Sequence, residues 1–125
     1  MADEKKALAY RAFGARMEEL GRQAELLSRL ITENEAASTA LDNLPSEQTF
    51  FPIGAGVLVK ARLSDTNNVV VEAGARILAE RSVWDAKKLL ADRRTQLEEA
   101  LEKINAEAGE IAGKMREIEE ELNKG

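Results

Sequence analysis

The chain has 125 residues, a third of them charged, and its 23 acidic against 18 basic side chains give a net charge of −5. That balance, with no basic block of five or six residues, argues against nucleic acid as the main partner, because phosphate binding rests on clustered Lys and Arg. Cysteine and histidine are both absent, which removes disulfides, the favoured transition-metal ligands, the commonest general base and the most reactive nucleophile together, so no catalytic residue, cofactor or metal site is expected.

The opening residues, Met1 to Lys6, lack the apolar run of a signal peptide, and no apolar stretch of about 18 residues occurs anywhere. The expectation is a cytoplasmic chain without membrane contact. A first helix is predicted over 3–44: Asp3 can cap the free amides of its first turn, and Pro45, which supplies no amide hydrogen and restricts its predecessor, ends it. Within it Tyr10, Phe13, Met17, Leu20, Ala24, Leu27, Ile31, Asn34, Ser38 and Leu41 alternate steps of three and four, and only Asn34 and Ser38 are not apolar. So narrow a stripe suits a coiled-coil seam better than a helix lying on a broad core.

The segment 49–80 reads differently. Thr49 to Leu63 and Val69 to Glu80 are rich in β-branched and apolar residues, as strands are. Val57, Val59 and Ala61 alternate with Leu58, Lys60 and Arg62, and Val69, Val71 and Ala73 with Val70, Glu72 and Gly74. Asp65-Thr66-Asn67-Asn68 supplies turn chemistry between the runs, while Gly54, Gly56 and Gly74 mark bends that divide the region into two hairpins. Two hairpins cannot bury their own edges, and unpaired edges invite neighbouring subunits, so this region is expected to be an oligomerisation platform.

A second helix is predicted over 82–123, opened by Ser82-Val83-Trp84-Asp85 in the capping-box pattern. Val83, Lys87, Leu90, Arg94, Leu97, Leu101, Ile104, Ala108, Ile111, Met115, Ile118 and Leu122 repeat the seam spacing, with Lys87 and Arg94 its two polar members. The fold class expected is α+β: a long antiparallel helical coiled-coil hairpin, each arm roughly 60 Å long, with a central pair of β-hairpins, the whole of 1–125 forming one unit.

Other features have plainer readings beside their functional ones. Gly54-Ala55-Gly56 lacks the rest of a dinucleotide fingerprint and is followed by a strand, so it reads as a glycine-bent strand. Glu98/Glu99 and Glu119 to Glu121 sit on helices with lysines four residues on, as in Glu99 to Lys103, and read as a solvated face. Gly14, Gly21, Gly109 and Gly113 are either tolerated surface glycines, points of close helix approach, or softness that lets the distal coil splay. A two-helix coil frays at its ends, where apolar side chains such as Leu8, Met115, Ile118 and Leu122 become available to a partner, and methionine suits adaptable contacts.

The central residues resemble those of the prefoldin family, in particular its archaeal-type α-class subunit. The resemblance rests on Phe51-Pro52-Ile53-Gly54-Ala55-Gly56-Val57-Leu58-Val59-Lys60-Ala61, on Asp65, on Val69-Val70-Val71-Glu72-Ala73-Gly74-Ala75, and on Ala79-Glu80-Arg81-Ser82 with Asp85-Ala86. Arg76 departs from it, standing where the family often repeats a small residue, and is expected to alter a strand bend or a subunit contact. The resemblance implies a cytosolic, ATP-independent co-chaperone of two α-type and four β-type subunits, whose hairpins build a double β-barrel base. It also implies that non-native polypeptide is held between the coil tips and passed to a group II chaperonin. On that reading Leu8, Met115, Ile118 and Leu122 contact the client, and Val57, Val59, Val69, Val71 and Ile77 build the platform. The rival reading is a structural protein whose like subunits stack through β edges into a homo-oligomer or filament.

Overall fold

A computed structural model describes residues 2–124. In chain order the elements are α1 (Ala2–Asp42), β1 (Thr49–Gly54), β2 (Val57–Ala61), β3 (Asn68–Glu72), β4 (Leu78–Ser82) and α2 (Val83–Lys124). Two long helices with two small antiparallel hairpins between them are the α+β class that the sequence indicates. The helix ends differ in detail. Helix α1 already includes Ala2, so Asp3 and Glu4 lie inside its first turn, where their charge opposes the positive end of the helix dipole, instead of Asp3 capping it. At the start of α2 the Asp85 amide donates to Ser82 Oγ at 3.0 Å, the side-chain half of a capping box.

The chain divides into two compact units. One comprises residues 2–32 with 95–124 and is a pair of antiparallel helical segments joined across a seam. Leu20 (1% exposed) and Ile111 (7%) are its buried residues, and the other seam positions from Tyr10 to Ile31 and from Leu97 to Ile118 are half-buried. Leu122, at the last seam position, is exposed. Charged pairs fasten the margins: Lys6 Nζ meets Glu121 at 3.0 Å, the Arg16 guanidinium takes both carboxylate oxygens of Glu107 at 3.0 Å, and the Tyr10 hydroxyl donates to Glu119.

The second unit spans 33–94 and contains both hairpins with the helical segments that adjoin them. Its buried residues are Ala86 and Asn34. Lys87 and Arg94, expected in the seam, instead flank it: Lys87 pairs with Asp42, and Arg94 Nη2 meets Glu35 at 2.7 Å. Ala86, one residue before Lys87, takes the inner place because a methyl side chain lets the two helices close where a lysine stem does not.

Strands β1 and β2 pair antiparallel with Phe51 opposite Val59 and Pro52 opposite Leu58, and the register shifts between Pro52 and Gly54. Gly54, Ala55 and Gly56 all have positive φ (118°, 51° and 79°), so this triplet is the hairpin turn. Strands β3 and β4 pair with Val70 opposite Glu80 and Asn68 opposite Ser82. Their turn holds Gly74, Ala75 and Arg76 at φ of 99°, 47° and 63°, closed by hydrogen bonds from Ala73 N to Ile77 O (2.7 Å) and from Ile77 N to Gly74 O (2.9 Å). The expected runs to Leu63 and from Val69 to Glu80 are therefore each interrupted or shortened by turns, and Ile77 sits in a turn and not in a strand. Between the hairpins the Asp65 carboxylate accepts from the Asn67 and Asn68 amides at 2.8 and 3.1 Å and from Asn68 Nδ2 at 3.1 Å. These three donors hold its pKa below the ordinary aspartate value, the Asn67 amide first among them.

Candidate functional site

Most of the large apolar side chains that the chain leaves in water lie on two surfaces, with Leu26 and Leu30 of α1 and Trp84 of α2 outside them. The larger belongs to the hairpins. On β1 and β2, Phe51 and Val59 share one face while Phe50 and Leu58 share the other, since residues alternate along a strand and partners lie on the same side. All four are exposed, as are Ile53 (69%) and Val57 (51%). A two-stranded hairpin is marginal alone in water, and one that is apolar on both faces has the composition of strands covered on both sides. In the described residues β1–β2 and β3–β4 form separate two-stranded sheets, so each hairpin also keeps its outer edges.

The second hairpin is one-sided. Val71, Ala73 and Arg81 line a groove with Asp85, Leu89 and Asp92 of α2, and Arg93 Nη2 donates to the Glu72 carbonyl at 2.8 Å. Val69 and Val71 are half-buried on this side, while Val70 (63% exposed) and Leu78 (68%) face outward. Of the residues expected to build the platform, Val57, Val59 and Ile77 are open, and Val69 and Val71 are partly used within the chain. Phe50, Phe51, Ile53, Leu58, Val70 and Leu78 are open although the sequence reading did not select them. The signal available for Phe50, Phe51 and Ile53 was that β1 is apolar in both of its alternating sets.

The smaller surface is at the helix ends in the unit of 2–32 and 95–124. Leu8 is 64% exposed and lies with Ala7 and Arg11 around a shallow depression. Leu122 is 38% exposed, and Met115 and Ile118 are half-buried in the seam. A Cβ added at Gly14 would stand 3.9 Å from Met115 Cε, an ordinary contact, whereas Gly21, Gly109 and Gly113 face open space. The helices therefore do not approach closely at these glycines. Lys114 Nζ lies 5.8 Å from the Phe13 ring centroid, covering part of the seam with its stem. Nothing in this arrangement brings together a nucleophile, a base and a pocket, and among the described residues no group of acidic side chains is placed to hold a metal ion. No helix of the described residues is long and apolar enough to cross a membrane.

A family model described as prefoldin subunit matches residues 13–124. Over 128 residues the chain is 30% identical to prefoldin subunit alpha of Thermofilum pendens, with 98% of this chain and 99% of the relative covered. Against prefoldin subunit alpha of Pyrococcus horikoshii it is 30% identical over 129 residues, covering 94% and 87%. Among solved structures, the cryo-EM structure of filamentous PFD from Methanocaldococcus jannaschii superposes with a TM-score of 0.77, covering 92% of this chain and 98% of the other at 23% identity, a likeness of fold.

Proposed function

The chain belongs to the prefoldin family, whose members are chaperone subunits and not enzymes, and from that membership and the surfaces it leaves open we propose a hetero-hexameric holding chaperone. Family membership implies assembly with other prefoldin subunits. In the proposed complex two copies of this chain join four β-type subunits through the hairpins, with Val57, Val59 and Ile77 and the two-sided Phe50/Phe51/Leu58 hairpin inside the platform, Val69 and Val71 bracing it. Non-native polypeptide is held without ATP at the helix ends by Leu8, Met115, Ile118 and Leu122 and is passed to a group II chaperonin in the cytoplasm. Contacts that are weak singly add through effective concentration when several tips grip one client.

The observation that carries this reading is the hairpin apolar on both faces, which a single chain has no means of covering. Removing the terminal turns of both helices tests the client half. The truncated complex is expected to assemble and to lose suppression of aggregation of a denatured client; unchanged suppression contradicts it.

A second reading follows from the free outer edges of the two separate sheets, through which like chains could add to one another in a homo-oligomer or filament. It predicts that the chain alone forms regular polymers and retains no denatured client.

A further inference from the structure

Leu8 is the most exposed large apolar side chain in the unit of 2–32 and 95–124. Successive residues of a helix point about 100° apart, so Leu8 shares its side of α1 with Glu4, Lys5, Arg11, Ala12 and Ala15. That side is turned away from the seam, which Tyr10, Phe13 and Met17 occupy. Ala12 and Ala15 are exposed and small, and Ala7 borders the depression beside Leu8, so a polypeptide segment can lie close against the leucine.

The charges around Leu8 are unevenly matched. Elsewhere on α1, Lys6 meets Glu121, Arg16 meets Glu107 and Arg22 meets Glu19, so each of these cations has a carboxylate of the chain beside it. Lys5 and Arg11 have none among the described residues. Both are exposed, and they stand three residues before and three after Leu8, about one helical turn to either side. The acids that could offset them are committed: Glu4, which also lines the depression, already has a partner, Glu119 accepts from Tyr10, and Glu121 holds Lys6. Asp3 lies about 140° round the helix from Leu8. An exposed leucine therefore sits between two exposed cations that no carboxylate of the described residues neutralises.

We propose that Lys5 and Arg11 set a client preference at this helix end: the segment that covers Leu8 is apolar and carries acidic residues at its flanks. The inference rests on the holding reading above and names the class of polypeptide which that reading favours. Complementary charge around an apolar contact supplies specificity more than affinity. Each ion pair is exposed and contributes little alone, but one client gripped by both copies of the chain feels the preference twice. The preference runs against the net charge of −5, which by itself draws basic segments, so its sign is diagnostic.

The test uses the assembled complex and three unfolded synthetic polypeptides that repeat one apolar segment along a Gly/Ser chain, with Glu, Gln or Lys flanking every copy. Binding is read by fluorescence anisotropy at low salt and again at about 0.5 M salt. The Glu polypeptide is expected to bind about fivefold more tightly than the Gln one, the Lys one to bind most weakly, and the differences to collapse at high salt. Lys5→Gln with Arg11→Gln, made in this chain alone, should remove the advantage of Glu. Both side chains are exposed, so the substitution leaves the seam intact. Equal binding, a preference for Lys, or a Glu preference that survives the double substitution overturns the inference and leaves the holding reading standing. Binding of none of the three by a complex that suppresses aggregation of a denatured client likewise overturns the inference alone. A complex that binds none and suppresses nothing overturns both.

Discussion

Asn34 Nδ2 donates to the carbonyl oxygen of Leu90 on the facing helix at 2.9 Å, from a seam position that is 8% exposed. The relationship bears on how the two helical segments of this unit choose their alignment. Neither sheet bonds the other among the described residues, so strand pairing does not fix α1 against α2. An apolar heptad seam tolerates sliding by a repeat, and one buried asparagine is a known device for selecting a register at a cost in stability.

Replacing that asparagine should therefore separate stability from uniqueness. Asn34→Val is expected to raise the unfolding free energy by an amount on the order of 1 kcal/mol while doubling amide resonances around Leu90 as alternative alignments appear. Asn34→Asp places an unpaired carboxylate against the Leu90 carbonyl and should cost about 3 kcal/mol. Denaturant unfolding and an amide NMR spectrum check both; a Val variant that is less stable and singly aligned contradicts the assignment.

Arg76, the departure from the family pattern, stands at φ 63° in the turn between β3 and β4, a conformation that costs a side chain roughly 1–2 kcal/mol. Arg76→Gly should lose nothing in unfolding free energy. Arg76→Val should lose about 2 kcal/mol, because branching at Cβ sharpens the clash. Equal loss in the two variants would mean that the arginine side chain, and not its backbone, matters here.

Asp65 predicts an acid dependence with a definite sign. Its hydrogen bonds hold the folded pKa below the ordinary 3.8, so the folded chain takes up that proton less readily than the unfolded one. The stabilisation is complete above the ordinary value and is lost as pH falls through the lower, folded value. Between about pH 5 and pH 2, stability should fall less steeply in Asp65→Asn than in the natural chain, measured by urea unfolding. Parallel curves would show that the turn does not distinguish the two protonation states.

Burial separates two leucines of α1. Leu20→Ala, at a position 1% exposed, should cost about 3 kcal/mol through lost contacts and a cavity. Leu8→Ser, at one 64% exposed, should leave the thermal midpoint unchanged and reduce retention of denatured client. Thermal unfolding and a light-scattering assay on the same preparations distinguish the two roles; a lowered midpoint for Leu8→Ser would show a structural leucine instead.

The seam was legible in the sequence because steps of three and four persist through both helices, from Tyr10 to Leu41 and from Leu97 to Ile118. It misled at Lys87 and Arg94, where an inward position in the pattern is vacated for a salt bridge and Ala86 packs in its place. The hairpins were legible from β-branched runs divided by glycines, but their facing was not. Alternation of Val69, Val71 and Ala73 with Val70, Glu72 and Gly74 marks the more apolar set, but only the packing of Val71 and Arg81 along α2 shows that this set faces the helix and turns Val70 outward.

Native mass spectrometry of this chain, purified gently from its own cells, tests the central claim most directly. A hexamer with two copies of the chain and four of a second coiled-coil protein is the predicted result; a homo-oligomer or open-ended polymer of this chain alone would contradict it.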